Sequence, residues 1–261
     1  MKRFQPLVCL VVLLVGCGGG GGSNSTPTPT PQAAVVTGQW SFIATDTTNN
    51  KTAVFANLSS QGGGSYFATG VDSAVCDLAT SQCQVINNTP SITVTVSLTN
   101  QVQVSMTNVV TTTGATITVS GTGTVDAAGT KMSSGTWTSS SGASGTWTGD
   151  IVKSFTGSYT GTFNSTVSPA TVPYGVSLTI AQDTSYNVTG TAVITHSLCF
   201  TNLTLSGHAV GGVFYLVDSA QSIVAVGIEG PTLPPNQLAF GYQVVSGCGA
   251  GDQGQGTITR Q

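Results

Sequence analysis

The chain has 261 residues, of which only 6% are charged, and its formal net charge is −3. So sparse a charge, without a run of lysine or arginine, leaves no basic patch for nucleic acid or an anionic lipid surface. Solubility therefore rests on Thr, Ser, Asn, Gln and Gly.

The N-terminus has three parts. Lys2 and Arg3 give a positive start, Leu7 to Val15 is an apolar run, and Gly16 is a small residue before Cys17. This is the layout of an export signal over residues 1–16. The apolar run is far short of the roughly 20 residues a membrane-spanning helix needs. Leu14-Val15-Gly16-Cys17 resembles the lipobox of bacterial lipoproteins. That resemblance implies cleavage before Cys17, a diacylglyceryl group on its thiol and acylation of the new amine. A single acyl chain binds a membrane only marginally, so two or three chains are what make such an anchor stable. The expected location is the cell envelope, held to a membrane through lipid. In a Gram-negative cell the family's sorting logic points to the outer membrane, because Gly18 rather than Asp follows the cysteine. Without the signal, four basic and nine acidic residues remain, a net charge of −5.

Residues 17–35 read as a tether. Gly18 to Gly22 and Ser23-Asn24-Ser25 are flexible, and Thr26 to Pro31 alternates Thr and Pro and is extended. Together they reach roughly 30–40 Å. About 225 residues follow, enough for one large or two small all-β domains.

In the body, Val, Ile, Leu and Phe alternate with Thr and Ser, the pattern of half-buried strands. Strands are expected at Gly38 to Phe42, Ala53 to Leu58 and Tyr66 to Val71, with a turn at Asp46 to Asn50. Ile92 to Leu98 is the clearest, and Val102, Val104 and Met106 continue it past Asn100 as a hairpin or a long bulged strand. Ala115 to Val119 and Gly123 to Val125 lead to a turn at Asp126 to Gly129. Ser134-Gly135-Thr136-Trp137-Thr138 then recurs as Ser144-Gly145-Thr146-Trp147-Thr148. With Ser139 to Ala143 as a turn, the copies form a hairpin with both tryptophans on one face.

A second start follows. Phe155 to Phe163 echoes the opening near Gly38, and strands recur at Val176 to Ile180, Tyr186 to Thr191, Leu203 to Leu205, Gly212 to Val217, Ile223 to Ile228, Leu238 to Val245 and Gly256 to Ile258. No segment keeps helical periodicity over three turns. The reading is all-β: two consecutive antiparallel β-barrel or β-sandwich units, 36–153 and 154–261. A transmembrane barrel fits poorly, since aromatic girdle positions are few and most strands are short.

Cys9 leaves with the signal and Cys17 is the lipid site, so Cys76, Cys83, Cys199 and Cys248 remain in an oxidising compartment. Pairing Cys76 with Cys83 and Cys199 with Cys248 keeps each bridge within one domain. In the loop-entropy model these contribute roughly 2.5 and 4 kcal/mol. The spacing suits neither a zinc site nor a redox C-x-x-C.

Catalytic signals are absent. No G-x-S-x-G or H-E-x-x-H occurs, and Glu229 is the only glutamate. His196 and His208 could approach across a hairpin, with Asp183 or Asp218 as a third partner, but they fit solvated histidines better. Asp72 and Asp77, beside Cys76, have no evident partner. Gly121 to Asp126 begins like a dinucleotide loop yet lacks the third glycine and a following helix. No metal or cofactor is expected. The opening Gly38-Gln39-Trp40 loosely resembles that of lipocalin- and avidin-like barrels, which implies a pocket at a barrel mouth. Trp40, Trp137, Trp147 and Tyr159 are then candidate ligand-lining residues, although aromatics mostly serve as core. The function expected is a non-catalytic binding module for a small ligand, a glycan or an envelope protein. The alternatives are a structural or surface-interaction lipoprotein and, less favoured, a hydrolase.

Overall fold

The computed structural model describes residues 32–68, 72–77, 82–84, 91–110, 114–165, 173–218, 220, 222–229 and 233–261, with backbone alone at 77, 82–84 and 110. The signal, Cys17 and the tether up to Pro31 lie outside the described residues. Every extended regular element among the described residues is a strand. The first unit comprises β1 (Gly38–Asp46), β2 (Lys51–Gly62), β3 (Ser65–Ala68), β4 (Ser73–Asp77), β5 (Gln82–Gln84), β6 (Ser91–Val96), β7 (Gln101–Val110), β8 (Thr116–Val125), β9 (Lys131–Ser139) and β10 (Ser144–Ile151). The second comprises β11 (Gly157–Ser165), β12 (Tyr174–Gln182), β13 (Asn187–Thr195), β14 (Asn202–Val210), β15 (Val213–Asp218), β16 (Ile223–Ile228), β17 (Gln237–Val244) and β18 (Gln253–Arg260).

Both units close into eight-stranded antiparallel barrels. In the first, the order β1-β10-β9-β8-β7-β6-β3-β2 returns to β1, and the β4–β5 hairpin attaches to the first half of β2. In the second, β11 to β18 follow chain order and β18 pairs with β11. Alternation explains which side chains face inward. On β12, Val176, Leu178 and Ile180 are buried while Ser177 and Thr179 are exposed. Closure leaves the second barrel no free edge, which suits strands so rich in Thr and Gly.

Five hairpin turns share one chemistry. Asp46, Ser97, Asp126, Ser139 and Asp183 each accept, through their side chains, the backbone N–H four residues on. Three residues on, the chain passes through positive φ at Asn49 (66°), Asn100 (58°), Gly129 (70°), Gly142 (87°) and Tyr186 (63°). Asn and Gly tolerate that conformation best, so four of the five positions are locally suited to it. Val102 to Met106 therefore belong to a new strand after a hairpin, not to a bulged continuation.

The repeated Ser-Gly-Thr-Trp has a packing reason. In the β9–β10 ladder Trp137 stands opposite Gly145 and Trp147 opposite Gly135. Each indole lies across the glycine of the other copy. A β-carbon on Gly145 would sit 2.8 Å from Trp137 Nε1, and one on Gly135 would fall against the Trp147 ring. A β-carbon on Gly121 or Gly123 of β8 would meet the same ring, at 3.0 and 2.9 Å. The glycines that imitate a nucleotide loop are thus the bed of a tryptophan.

The folded body begins before residue 36. Ala34 and Val36 are buried in the first core. Asn100 Oδ1 accepts from Ala34 N at 3.0 Å, and Tyr66 Oη donates to Ala34 O at 3.2 Å. Residues 33–35, expected as the end of the tether, instead help to close one end of the first barrel, because apolar Ala34 finds a pocket and its backbone finds partners.

Each barrel opens with the same lock. Trp40 Nε1 donates to Val36 O at 2.9 Å, and Tyr159 Oη donates to Phe155 O at 2.8 Å, in both cases four residues back. This is the physical content of the repeated opening.

Two outcomes follow from this packing. Gly135→Ala should destabilise the protein by about 1–3 kcal/mol in urea unfolding, since the added methyl overpacks the Trp147 ring, whereas Thr136→Ala on the outer face should stay within about 0.5 kcal/mol. The second concerns acid. Hydrogen bonds from Thr48, Thr130 and Asn187, in that order, hold Asp46, Asp126 and Asp183 below the usual carboxylate range. A lowered folded-state value gives stability that is present above the unfolded pKa of about 3.9 and is lost as pH falls through the folded values. Unfolding curves from pH 6 to 2 should therefore show wild type losing more stability below about pH 4 than a variant with all three aspartates changed to alanine.

Candidate functional site

An eight-stranded barrel is just wide enough for its side chains to fill or for one small ligand. The two barrels realise different outcomes.

In the second barrel Phe163 stacks on Phe240 at 5.2 Å between ring centroids, and Phe155 meets Phe214 edge-on at 4.9 Å. Phe200 packs edge-on against Tyr174 and Tyr242, at 5.8 and 5.9 Å. Phe200 is held there by a disulfide from its neighbour Cys199 to Cys248, with Cα atoms 5.3 Å apart, the within-domain pairing expected from the sequence. Asp252 accepts from Ser165, Tyr174 and Tyr242 at the same end. The remaining interior space is about 20 Å³.

In the first barrel the closed end is filled by Val36, Leu58 and Trp40, all essentially inaccessible. Trp40 stacks on Phe42 at 5.8 Å and 13°, and Phe42 meets Trp147 at 5.9 Å and 65°. Above this aromatic floor no described side chain fills the interior. A cavity of about 230 Å³ opens toward the β1–β2 and β9–β10 turns. Val54, Val75, Ile92, Val104, Met106, Val109, Ile117 and Val119 form its walls with Trp137, and Thr52 and Ser139 stand at its rim. Among the described residues no ionisable side chain lines it. Val75 comes from β4, so the appended hairpin supplies wall where β3 has ended.

The sequence-derived aromatics therefore separate. Trp137 and Trp147 reach the cavity. Trp40 lies beneath its floor and Tyr159 lies in the packed core of the second barrel. These two are not ligand-lining: each spends its polar tip on the i−4 carbonyl and its ring on closing a barrel end.

The second barrel braces the outside of the first. The turn between β14 and β15 packs on β1 and β2, where Ala53, Phe55, Ala74, Cys76, Val210 and Val213 form a separate apolar cluster. Asn57 Nδ2 donates to Ala209 O at 2.8 Å while Asn57 Oδ1 accepts from Gly211 N at 2.9 Å. Gln39 Nε2 donates to Gly211 O at 3.2 Å, and Gln182 Nε2 donates to Gln39 Oε1 at 2.6 Å. Burial on both faces explains the unbroken apolar run from Ala53 to Ala56. Tyr215 flanks this cluster, and burial pushes its hydroxyl up to about 12. Sequence reasoning missed Gln39 and Asn57. Their signal was a polar residue inside an otherwise apolar strand opening.

The other candidates do not assemble into a catalytic group. His208 and His196 sit at opposite ends of the β13–β14 ladder. His208 Nε2 faces Asp72 Oδ1 across the two barrels at 3.6 Å, and Asn57 Nδ2 reaches the same oxygen at 3.4 Å. Asp72, read as partnerless, is thus an inter-barrel contact. His196 Nδ1 lies 3.2 Å from Pro173 O. Asp183 holds its own turn and Asp218 accepts from Thr204 N at 2.7 Å. Cys76 and Cys83 face each other in the β4–β5 ladder. The side chains of Cys83 and Asp77 lie outside the described residues.

No family model matches this chain, and no curated protein matches it. Among solved structures it is similar to a protein with unknown function from the DUF3598 family of Nostoc punctiforme. The two are 9% identical, the match covers 86% of this chain and 96% of that one, and the TM-score is 0.29.

Proposed function

We propose that this is an exported, lipid-anchored envelope protein whose first barrel captures a small apolar molecule and whose second barrel is its support. The observation that carries this reading is the contrast in filling: about 230 Å³ of empty, apolar, mouth-opened space in one barrel against about 20 Å³ in the other. Core side chains ordinarily close-pack, and an unfilled cavity lowers stability, so a hollow beside a well-packed sister is best understood as a site. Binding without catalysis suits a wall free of ionisable groups, since acid–base and nucleophilic chemistry need such groups within reach of the ligand. The anchor rests on Cys17 and its lipobox-like surroundings, and export suits the Cys199–Cys248 bridge.

A second reading, a surface-interaction lipoprotein without a small-molecule site, draws support from the outer face of β6 to β9. There Thr93, Thr95, Gln103, Ser105, Thr122 and Thr136 line an open, polar groove of about 410 Å³.

All three tryptophans belong to the first barrel, so intrinsic fluorescence reports on it alone. Titrating the mature protein with octane or a naphthalene-sized probe should give a saturable change in emission. Val119→Phe, which fills the cavity, should weaken that binding at least about tenfold, a change of about 1.4 kcal/mol. No saturable response, or one that Val119→Phe leaves untouched, would favour the surface-interaction reading. For the anchor, cells grown with labelled palmitate should label wild type and not Cys17→Ala; normally processed, unlabelled wild type defeats it.

A further inference from the structure

The two indoles that reach the cavity differ in one respect. Trp147 Nε1 donates to Thr136 O at 3.2 Å. Trp137 Nε1 is shielded from solvent and has no hydrogen-bond partner among the described residues. It lies over Gly145, on the wall near the mouth. A buried N–H without an acceptor is uncommon in folded proteins, because the group has lost water and gained nothing.

Resting on the reading that this barrel holds a small molecule, we infer that its ligand is neutral, largely hydrocarbon and carries one hydrogen-bond acceptor, which Trp137 Nε1 meets. Three observations carry the parts of this statement. The size follows from the volume. At roughly 30 Å³ per small group, about 230 Å³ takes about eight heavy atoms, or the matching end of a longer molecule. That is below the roughly 300 Å³ at which drug-sized pockets begin, and above the roughly 150 Å³ that suffices for benzene. Neutrality follows from the lining: among the described residues no lysine, arginine or histidine stands there to repay the dehydration of a carboxylate, and no aspartate or glutamate to pair with an amine. The single acceptor follows from the single orphaned donor, since a carbonyl or ether oxygen carried on an apolar body is the partner this N–H lacks. A ketone, an aldehyde, an ester or a medium-chain alcohol has this chemistry. A free fatty acid at neutral pH does not.

The test compares octane, 2-octanone and octanoate by fluorescence titration at pH 7, using the full mature protein and its Trp137→Phe variant. Trp147 remains as reporter in both. In wild type, 2-octanone should bind, and octanoate at least about tenfold more weakly. Trp137→Phe should weaken 2-octanone about fivefold more than it weakens octane, the usual worth of one hydrogen bond. A measurement on unaltered protein guards against a variant that fails to fold: the indole N–H resonance of Trp137 should move downfield with 2-octanone and not with octane. If 2-octanone and octane respond alike to the substitution and in the resonance, or octanoate binds as well as the ketone, the acceptor assignment is overturned while the cavity remains a site. If none of the three binds wild type, the cavity reading itself fails.

Discussion

Eight strands closed on themselves enclose a bore whose width is set by strand number and tilt, and everything else in this protein answers to how that bore is filled. Aromatic rings do most of the filling, and glycines on the facing strands make room for them. In the first barrel Gly121, Gly123, Gly135 and Gly145 lie beneath Trp137 and Trp147. In the second, Gly227 lies beneath Phe214 and Gly254 beside Tyr242. Glycine weakens a strand on its own, by entropy and by offering no side chain to pack. Its abundance here becomes intelligible once each of these positions is seen as the complement of a ring. The difference between the barrels is the position of the rings along the bore. Phe163, Phe200, Phe240 and Tyr242 carry the second core out to its disulfide-closed end, while the first stops at the Phe42–Trp147 layer and leaves the space above it open.

The second barrel acts on the first through β2 and β4. Residues of β4 alternate between the two tasks: Ala74 and Cys76 join the inter-barrel cluster, while Val75 looks into the cavity. The wall most directly backed by the neighbouring barrel is therefore also the wall that replaces β3 near the mouth. Asn57 and Gln39 fix the register of this contact by side-chain bonds to backbone atoms of 209–211. Such buried polar groups demand a specific geometry, because a slipped contact would leave them desolvated without partners. Gly211 permits the approach. Its backbone adopts φ +50°, and a β-carbon there would meet Ala56 N at 2.8 Å.

Most strands of the two units were legible because alternation is a local signal, written in each segment without reference to its partners; β4 and β5 were not, and neither was the place of their hairpin on β2. The turns at Asp46, Asp126 and Ser139 were legible for the same reason: an Asp or Ser followed three residues later by Asn or Gly carries its own geometry, whereas the one after Ser97 had been left open between a hairpin and a bulged strand. The repeated Gly-x-Trp was visible as a repeat, and its pairing in a hairpin followed from the intervening turn. What the sequence did not disclose were relations between distant segments. That Asp72 meets His208, that Asn57 reaches Ala209, and that Trp40 closes an end while Trp137 lines a wall all depend on long-range closure. Parity along a strand says which side a residue faces, but not how far along the bore it lies. The hollow was illegible for a related reason, since a residue facing empty space is written with the same letters as one facing a packed core.

The chain enters the first barrel through its stopper. Residues 33–36 are part of the closed end, tied by Ala34 to Asn100 and Tyr66 and by Val36 to Trp40. A pull on residue 33 would thus load three isolated side-chain bonds, two of them at Ala34, before any sheet ladder, and would do so beneath the Phe42–Trp147 layer that floors the cavity. Mechanical tension and cavity shape share one element in this architecture, so tension entering at residue 33 would reach the base of the hollow first.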